Sequence, residues 1–308
     1  MSVQFMLGPQ EPTPNLRQAV DLVNPRGPVV IITAGWRDSE GEIADVQADI
    51  GRPLEDLNIY QRAEDIFARE PGLRALQRER QDKLLELQRL YRMRLTPAMA
   101  AARDLLRTSG DPGLLRLEQR AAITQVRALD RHHVRRIAAI HSEFDQRRAR
   151  MDAPHATAQR HAVQEIAAKA SLLLIAGGHV AVLLNRMRLF RLGEILQQKP
   201  VIAWSAGAMV LGEHIVLFHD DAPQGQRDAE VLDAGLGIVR GLIPLPHART
   251  RLDWSSRTRM ALFSRRFAPA TCCTLDNGSM IQLANHRILG ASQSSVMTRS
   301  GRRKELLA

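Results

Sequence analysis

The chain has 308 residues, 44% hydrophobic and 25% charged, so it can bury a sizeable core and is neither a short peptide-like module nor a disordered protein. Its net charge of +10 is concentrated in residues 61–150, which hold 20 Lys and Arg against 12 Asp and Glu. Aromatic residues make up only 4% of the chain and leave few rings on which bases could stack, so nucleic-acid binding is disfavoured.

The N-terminal residues and the two cysteines indicate the cellular compartment. Met1 to Phe5 has no basic segment followed by an apolar one, and no apolar run approaches the roughly 18 residues of a membrane helix. Cys272 and Cys273 are adjacent and cannot form an ordinary intrachain disulfide. We therefore expect a protein of the reducing cytoplasm, without a membrane segment.

The first part of the chain has the pattern of a βαβ unit. Residues 28–34 form a β-branched apolar run that predicts a buried parallel strand, and this strand is expected to open the sheet. Residues 39–50 predict a helix with acidic residues in its first turn, and residues 57–60 predict a second, short strand.

From residue 61 to residue 151 the strand-like runs give way to apolar residues at helical spacing. Leu84, Leu87, Tyr91 and Leu95 form one stripe, and a second follows after the turn-rich residues 108–113. The pattern predicts two long helices folded back on each other. Their stripes are explained by packing between the two helices, with a dimerisation or docking arm as the functional alternative.

The α/β pattern returns after this arm. Helices are predicted over 156–169, 180–196 and 255–267. Strands are predicted over 171–176, 201–204, 215–218, 237–246, 271–275, 279–283 and 287–289. The Arg-rich tail, 299–304, is expected to be frayed.

The predicted domain organisation has four parts. They are residues 1–60, the first part of the α/β domain; 61–151, the inserted helical hairpin; 152–298, the second part with the active site; and 299–308, a basic tail.

The sharpest motif is in residues 201–210, where a buried strand runs into Ser205 with small residues on either side. A serine at a tight turn between a strand and a helix is typical of a nucleophile elbow, although Ala203 replaces the usual first glycine. The alternative is a serine that only caps a helix. An acyl reaction at Ser205 would need N–H donors, which Ala206 and either Gly177 or Gly178 could supply.

Such a serine needs a base, and ten histidines compete for that role. His247 follows a strand-like stretch in a proline-flanked loop and is the preferred candidate. His179 and His219 lie near other candidate loops and remain alternatives.

Taken together, these residues resemble peptidase family S51, the dipeptidase E and cyanophycinase group. The resemblance covers roughly residues 28–60 and 156–290. It rests on the strand and Gly-Gly turn at 172–178, the serine motif at 203–208, Gly235-Leu-Gly-Ile-Val239, and His247 with Arg249 and Arg251. It implies an α/β fold with a parallel sheet, the class I glutamine amidotransferase-like (flavodoxin-like) three-layer sandwich, here with an inserted long helical hairpin.

The resemblance also implies roles for individual residues. Ser205 would be the nucleophile, His247 its general base and Asp220 the third member of the triad, with Asp221 and Glu213 as rivals. The amides of Gly178 and Ala206 would form the oxyanion hole. The residues that would face the substrate are Gly177, His179, Trp204 and Arg249, with Arg249 and Arg251 able to hold a carboxylate.

These patterns predict a serine peptidase that cleaves a small peptide or amide through an acyl-enzyme. The glutaminase relatives carry cysteine at the elbow, so a thioester mechanism is disfavoured by Ser205. No nucleotide-binding or metal-binding motif is present, and no cofactor or metal is expected. The alternatives are another serine acyl-transfer enzyme, such as an esterase or transacylase, and a catalytically silent scaffold. The expected partner is a second copy bound through the helical arm.

Overall fold

A computed structural model describes residues 2–220 and 227–306. The strands are β1 (Val3–Leu7), β2 (Val29–Ile32), β3 (Leu54–Asp56), β4 (Leu172–Ile175), β5 (Val201–Trp204), β6 (His214–Leu217), β7 (Glu230–Ala234), β8 (Leu242–Pro246), β9 (Thr271–Leu275), β10 (Met280–Ala284), β11 (Arg287–Ser292), β12 (Ser295–Met297) and β13 (Arg303–Glu305). The helices are α1 (Leu16–Val23), α2 (Ala44–Ile50), α3 (Ile59–Arg69), α4 (Pro71–Arg107), α5 (Pro112–Ala149), α6 (Pro154–Lys169), α7 (Val180–Leu189), α8 (Gly193–Gln198), α9 (Ala206–Leu211), α10 (Ala248–Arg251) and α11 (Arg257–Phe267), with a 3₁₀ segment at Ala34–Ser39.

A central sheet of seven strands has the order β11-β10-β1-β5-β4-β2-β3. The five strands from β1 to β3 in this order are parallel, and β10 and β11 add an antiparallel edge. Along β2, Val30 and Ile32 face one apolar cluster while Val29 and Ile31 face another, as the alternation of side chains in a strand requires. The mixed α/β fold with a mostly parallel sheet is therefore confirmed.

The start of the sheet differs from the prediction. The unpredicted strand β1 lies between β5 and β10, and Phe5, Met6 and Leu7 are almost completely buried there. The expectation that residues 28–34 open the sheet is therefore wrong. No strand was predicted before residue 28, because Gln4 interrupts the short apolar run of β1.

The prediction of a short strand over residues 57–60 is also wrong, because these residues lie after β3 and at the start of α3. The strand β3 ends at Asp56, Asn58 adopts a left-handed φ of 49°, and α3 begins at Ile59. The carboxylate of Glu40 accepts the N–H groups of Tyr60 and Gln61 at 2.8 and 2.7 Å. This distant side chain satisfies the open N-terminus of the helix, which no local pattern could have shown.

The long helical hairpin is confirmed and consists of α4 and α5. Asp111 begins α5 by accepting the N–H groups of Gly113 and Leu114 at 2.9 and 2.8 Å. The two helices pack through a shared apolar cluster that includes Tyr91 and Val126 and reaches Leu262 on α11. The hairpin therefore packs along the body of its own chain.

A buried polar network joins this hairpin to the body. The guanidinium of Arg266, fully buried on α11, donates to both carboxylate oxygens of Asp130 on α5 at 2.7 and 2.8 Å. It also donates to the Tyr91 hydroxyl at 2.7 Å and to the Ala229 carbonyl at 2.6 Å. Because Tyr91 belongs to α4, one side chain ties three helices together.

The outer face of the hairpin carries exposed apolar side chains, among them Leu85, Met93, Leu114 and Leu117. Dimerisation through this arm stays a prediction. No helix in the described part of the chain is both long and apolar enough to cross a bilayer.

A second sheet has the order β13-β12-β9-β8, with β8 and β9 parallel, and β6 and β7 form a separate two-stranded sheet. The tail predicted to be frayed contains β13, whose residues Arg303–Glu305 pair with β12. That expectation is wrong because backbone pairing orders the tail, which composition does not reveal.

Candidate active site

Ser205 lies at the sharp turn between β5 and α9. Its φ of 50° and ψ of −119° are strained for a residue with a side chain, at a cost of about 1–3 kcal/mol. Its N–H donates to the Leu7 carbonyl at 3.1 Å, so β1 supports the turn directly. A Cβ at Gly207 would lie 2.3 Å from the Ile175 carbonyl oxygen, so the helix can approach the sheet this closely only with glycine there.

The Gly-Gly turn after β4 lies beside this elbow, because β4 and β5 are parallel neighbours. A Cβ at Gly177 would lie 2.9 Å from the Cβ of Ser205, and Gly178 has a φ of 99°. Ala206 is the first residue of α9, so its N–H has no acceptor within that helix. The two turns bring Gly178 and Ala206 into the same cleft lining as the serine.

His247 follows β8 and is brought to the serine from the second sheet. Its Nε2 lies 3.4 Å from the Ser205 Oγ, a long contact of the kind that tightens when substrate binds. The N–H of His247 donates to the Leu275 carbonyl at 3.1 Å, and its φ of 57° turns the chain sharply at the strand end. Hence the structure places together the two residues on which an acyl reaction would depend.

Asp220 lies elsewhere. Its carboxylate accepts from Arg259 at 2.5 Å and from the N–H of Asp253 at 2.8 Å, and it is almost completely buried in these contacts. No hydrogen bond joins Asp220 to His247 among residues 2–220 and 227–306. Of its two rivals, Glu213 accepts from the Gly241 N–H at 2.9 Å, and Asp221 lies outside the described residues.

The carboxylate that acts electrostatically on His247 is that of Asp276. Pro246 and Leu275 are paired across β8 and β9, so His247 and Asp276 are the next residues on two parallel strands. Asp276 is 7% exposed and accepts the N–H of Arg249 at 2.7 Å. Sequence analysis did not identify Asp276 as a neighbour of His247. The two residues are distant in the sequence, and only the pairing of β8 with β9 brings them side by side.

The pKa of His247 is held below its ordinary value. Burial is the largest cause, the positive charge of Arg251 acts in the same direction, and the negative charge of Asp276 opposes both. A lowered pKa keeps the imidazole neutral near pH 7, which is the state that can accept a proton.

The serine and histidine open into a cleft of about 580 Å³. Its lining combines apolar side chains with charged ones, among them Arg227, Asp228, Glu230 and Arg251, and Gly178, Ala206 and His219 also contribute to it. The guanidinium of Arg251 forms no ion pair within the described part of the chain, and burial lowers its pKa. An unpaired guanidinium in such a position is suited to a carboxylate.

One wall of this cleft comes from the helical hairpin. Arg92 of α4 lines the cleft and donates to Glu230 at 2.6 Å, and Gln88 donates to the same carboxylate at 2.8 Å. Arg103 of the same helix pairs with Asp228. No local signal distinguished Arg92 from the other basic residues of its helix, so sequence analysis missed its position.

The remaining predicted substrate residues do not line the cleft. Trp204 is buried in the core cluster on one face of the central sheet. His179 caps α7 by accepting the Val182 N–H at 3.3 Å, and Gly177 is buried against Ser205. Arg249 is exposed beyond the cleft lining.

Neither cysteine is among the residues that line this cleft. Cys272 and Cys273 are buried within β9, and burial raises the pKa of the Cys273 thiol to about 12. No group of three or more His, Cys, Asp or Glu side chains suited to a metal occurs among the residues that the structure describes.

Comparisons with known proteins give one family match and several matches among solved structures. The model of peptidase family S51 matches residues 131–290. No curated protein sequence matches the chain. Among the solved structures that match is a peptidase from an acI-B1 Actinobacterium, which is 14% identical with a TM-score of 0.48. That match covers 100% of this chain and 95% of the other.

Proposed function

The chain belongs to peptidase family S51, and on that premise we propose that it cleaves small peptides or amides through an acyl-enzyme on Ser205. The observation that carries the proposal is the 3.4 Å approach of His247 Nε2 to the Ser205 Oγ at a strained turn. A hydroxyl beside a neutral imidazole at the mouth of a cleft has the arrangement of an activated nucleophile.

The reaction would proceed in two steps. The Ser205 Oγ attacks the carbonyl carbon while His247 takes the hydroxyl proton, and His247 then gives that proton to the leaving amine. The N–H groups of Gly178 and Ala206 would stabilise the negative charge on the carbonyl oxygen. Water would hydrolyse the ester by the same route, with His247 again as base.

The cleft favours a substrate with a carboxylate near the scissile bond. Arg251 lines the cleft beside His247 and has no acidic partner among the described residues. It would therefore bind such a carboxylate, and Arg92 of the hairpin belongs to the same lining. This assigns the carboxylate to Arg251 rather than to Arg249.

The activated serine is tested by labelling the full chain with a fluorophosphonate and locating the adduct by mass spectrometry. We expect one adduct on Ser205, lost in Ser205→Ala and strongly slowed in His247→Ala. Ser142→Ala, which removes an exposed serine on α5, is the matched control and should label like the wild type. Folded wild-type protein that stays unlabelled would contradict the proposal and favour the scaffold alternative.

A second prediction concerns Asp276, the carboxylate that acts electrostatically on His247. Because the imidazole must be neutral to act as base, kcat/KM should fall as pH drops through its lowered pKa, below about 6.5. Asp276→Asn removes a charge that favours the imidazolium, so this acidic limb should move to lower pH and the plateau should fall about tenfold. Asp220→Asn should leave the limb unmoved.

Both Asp276→Asn and Asp220→Asn are tested by measuring kcat/KM for a cleaved peptide as a function of pH. Arg251→Met should have the opposite effect on the pKa of His247. Loss of this neighbouring positive charge should raise that pKa and move the acidic limb to higher pH. If the limb instead moves in Asp220→Asn and stays in place in Asp276→Asn, Asp220 is the acid that supports the base, as the family resemblance implies.

A further inference from the structure

A second cavity of about 260 Å³ lies at the base of the helical hairpin, and it shares no lining residue with the catalytic cleft. The end of α5, the start of α6 and the turn after α7 enclose it. Three arginines converge there, namely Arg148, Arg160 and Arg191. Leu73, Met151 and Phe190 form apolar walls between them.

The charges of this cavity are poorly balanced. The side chain of Arg148 is 8% exposed and lies 3.2 Å from a single carboxylate, that of Asp145, which is 58% exposed. Its remaining hydrogen bond is to the Leu189 carbonyl at 3.3 Å. The guanidinium groups of Arg160 and Arg191 form no ion pair or hydrogen bond within the described residues, so the cavity carries a net charge of about +2.

Gathering like charges in a partly buried space costs free energy unless an anion neutralises them. The pKa values of Arg148 and Arg160 are lowered, first by burial and then by neighbouring arginines. For Arg148 the charge of Asp145 opposes this effect only in part. A cavity with this balance of charges is therefore electrostatically suited to a dianion.

We propose that this cavity binds a small phosphate ester, with the phosphate among the three guanidinium groups and a short hydrocarbon part against the apolar walls. A phosphate monoester carries about two negative charges at pH 7, which matches the unbalanced charge. Planar guanidinium groups bind phosphate oxygens in pairs of hydrogen bonds. The volume is slightly below the roughly 300–1,000 Å³ of pockets for drug-sized molecules, which limits the ligand to a few carbon atoms or one ring.

A ligand in this cavity would contact both the hairpin and the body of the protein. Arg148 belongs to α5, Arg160 to α6 and Arg191 to the turn between α7 and α8. One ligand would thus connect the hairpin to the body, close to where the hairpin joins it. Since a ligand that binds only the native state stabilises it, binding should raise the melting temperature of the protein.

The test titrates the full chain with phenyl phosphate, inorganic phosphate and succinate at constant ionic strength, by calorimetry and by thermal unfolding. We expect phenyl phosphate to bind once per chain and to raise Tm, with weaker binding of inorganic phosphate. Arg160→Gln changes a partly buried side chain and Arg191→Gln an exposed one at the rim, and each should weaken phenyl phosphate binding at least about tenfold.

Two control variants separate this cavity from other basic surface. Arg150→Gln removes an exposed arginine that does not line the cavity, and Arg251→Gln removes the unpaired arginine of the catalytic cleft. Both should bind phenyl phosphate like the wild type. No saturable binding, or equal binding in Arg160→Gln, would overturn the proposal. Succinate binding that exceeds that of both phosphates, persists in Arg251→Gln and weakens in Arg160→Gln would overturn the assignment to a phosphate ester.

Discussion

Replacing Ser205 with alanine is expected to lower kcat/KM for peptide cleavage by at least about 10⁴-fold, and His247→Ala should cause a similar loss. Ser205 supplies the attacking oxygen, and His247 Nε2, 3.4 Å away, is positioned to remove its proton. Neither residue functions alone, because a hydroxyl without a base is a weak nucleophile and a base without the hydroxyl has no proton to remove.

The double variant makes this dependence measurable. If the two side chains act as one unit, Ser205→Ala with His247→Ala should cleave no more slowly than either single variant. The measurement is kcat/KM on one peptide, with Tm confirming that each variant is folded. Multiplicative losses would contradict a shared step and indicate two independent contributions to cleavage.

The largest expected effect on stability follows from Arg266. Arg266→Met should lower the free energy of unfolding by about 3–5 kcal/mol, because it leaves the carboxylate of Asp130 buried without a balancing charge. The same change removes the donor that joins α11 to Tyr91 on α4. The hairpin should therefore loosen from the body, and the Arg92 wall of the cleft should become disordered with it.

Urea unfolding of the variants measures this effect. Arg257→Met, an exposed position on the same helix, is the matched control and should change the free energy of unfolding by less than about 0.5 kcal/mol. The double variant Arg266→Met with Asp130→Leu should be more stable than Arg266→Met alone, since it leaves no unpaired charge. A double variant less stable than the single one would contradict this account of the network.

The hairpin and the catalytic cleft are connected by specific contacts. Tyr91 stacks on His133 with ring centroids 3.9 Å apart, and His133 contacts Gln88 at 2.9 Å. Gln88 in turn donates to Glu230 in the cleft wall. Burial lowers the pKa of His133 to about 4, so this chain of contacts keeps its charge state through the pH range of the proposed reaction.

Local patterns determined much of the fold. The apolar runs at residues 28–34, 171–176 and 201–204 predicted β2, β4 and β5, because a strand buried on both faces must be apolar at nearly every position. Helical spacing on either side of a turn-rich segment predicted the long hairpin. The serine motif predicted a turn between a strand and a helix at Ser205, because small residues are needed where the backbone passes so close to the sheet.

Tertiary structure decided the order of the strands and the contacts between residues that are distant in the sequence. β1 has a central place in the sheet, and the pairing of β8 with β9 sets Asp276 beside His247 while Asp220 binds Arg259. The hairpin likewise brings Arg92 to the cleft from more than 100 residues away along the chain. Periodicity and motifs report on neighbours within a segment, so contacts between distant segments emerge only when strand register and helix packing are known.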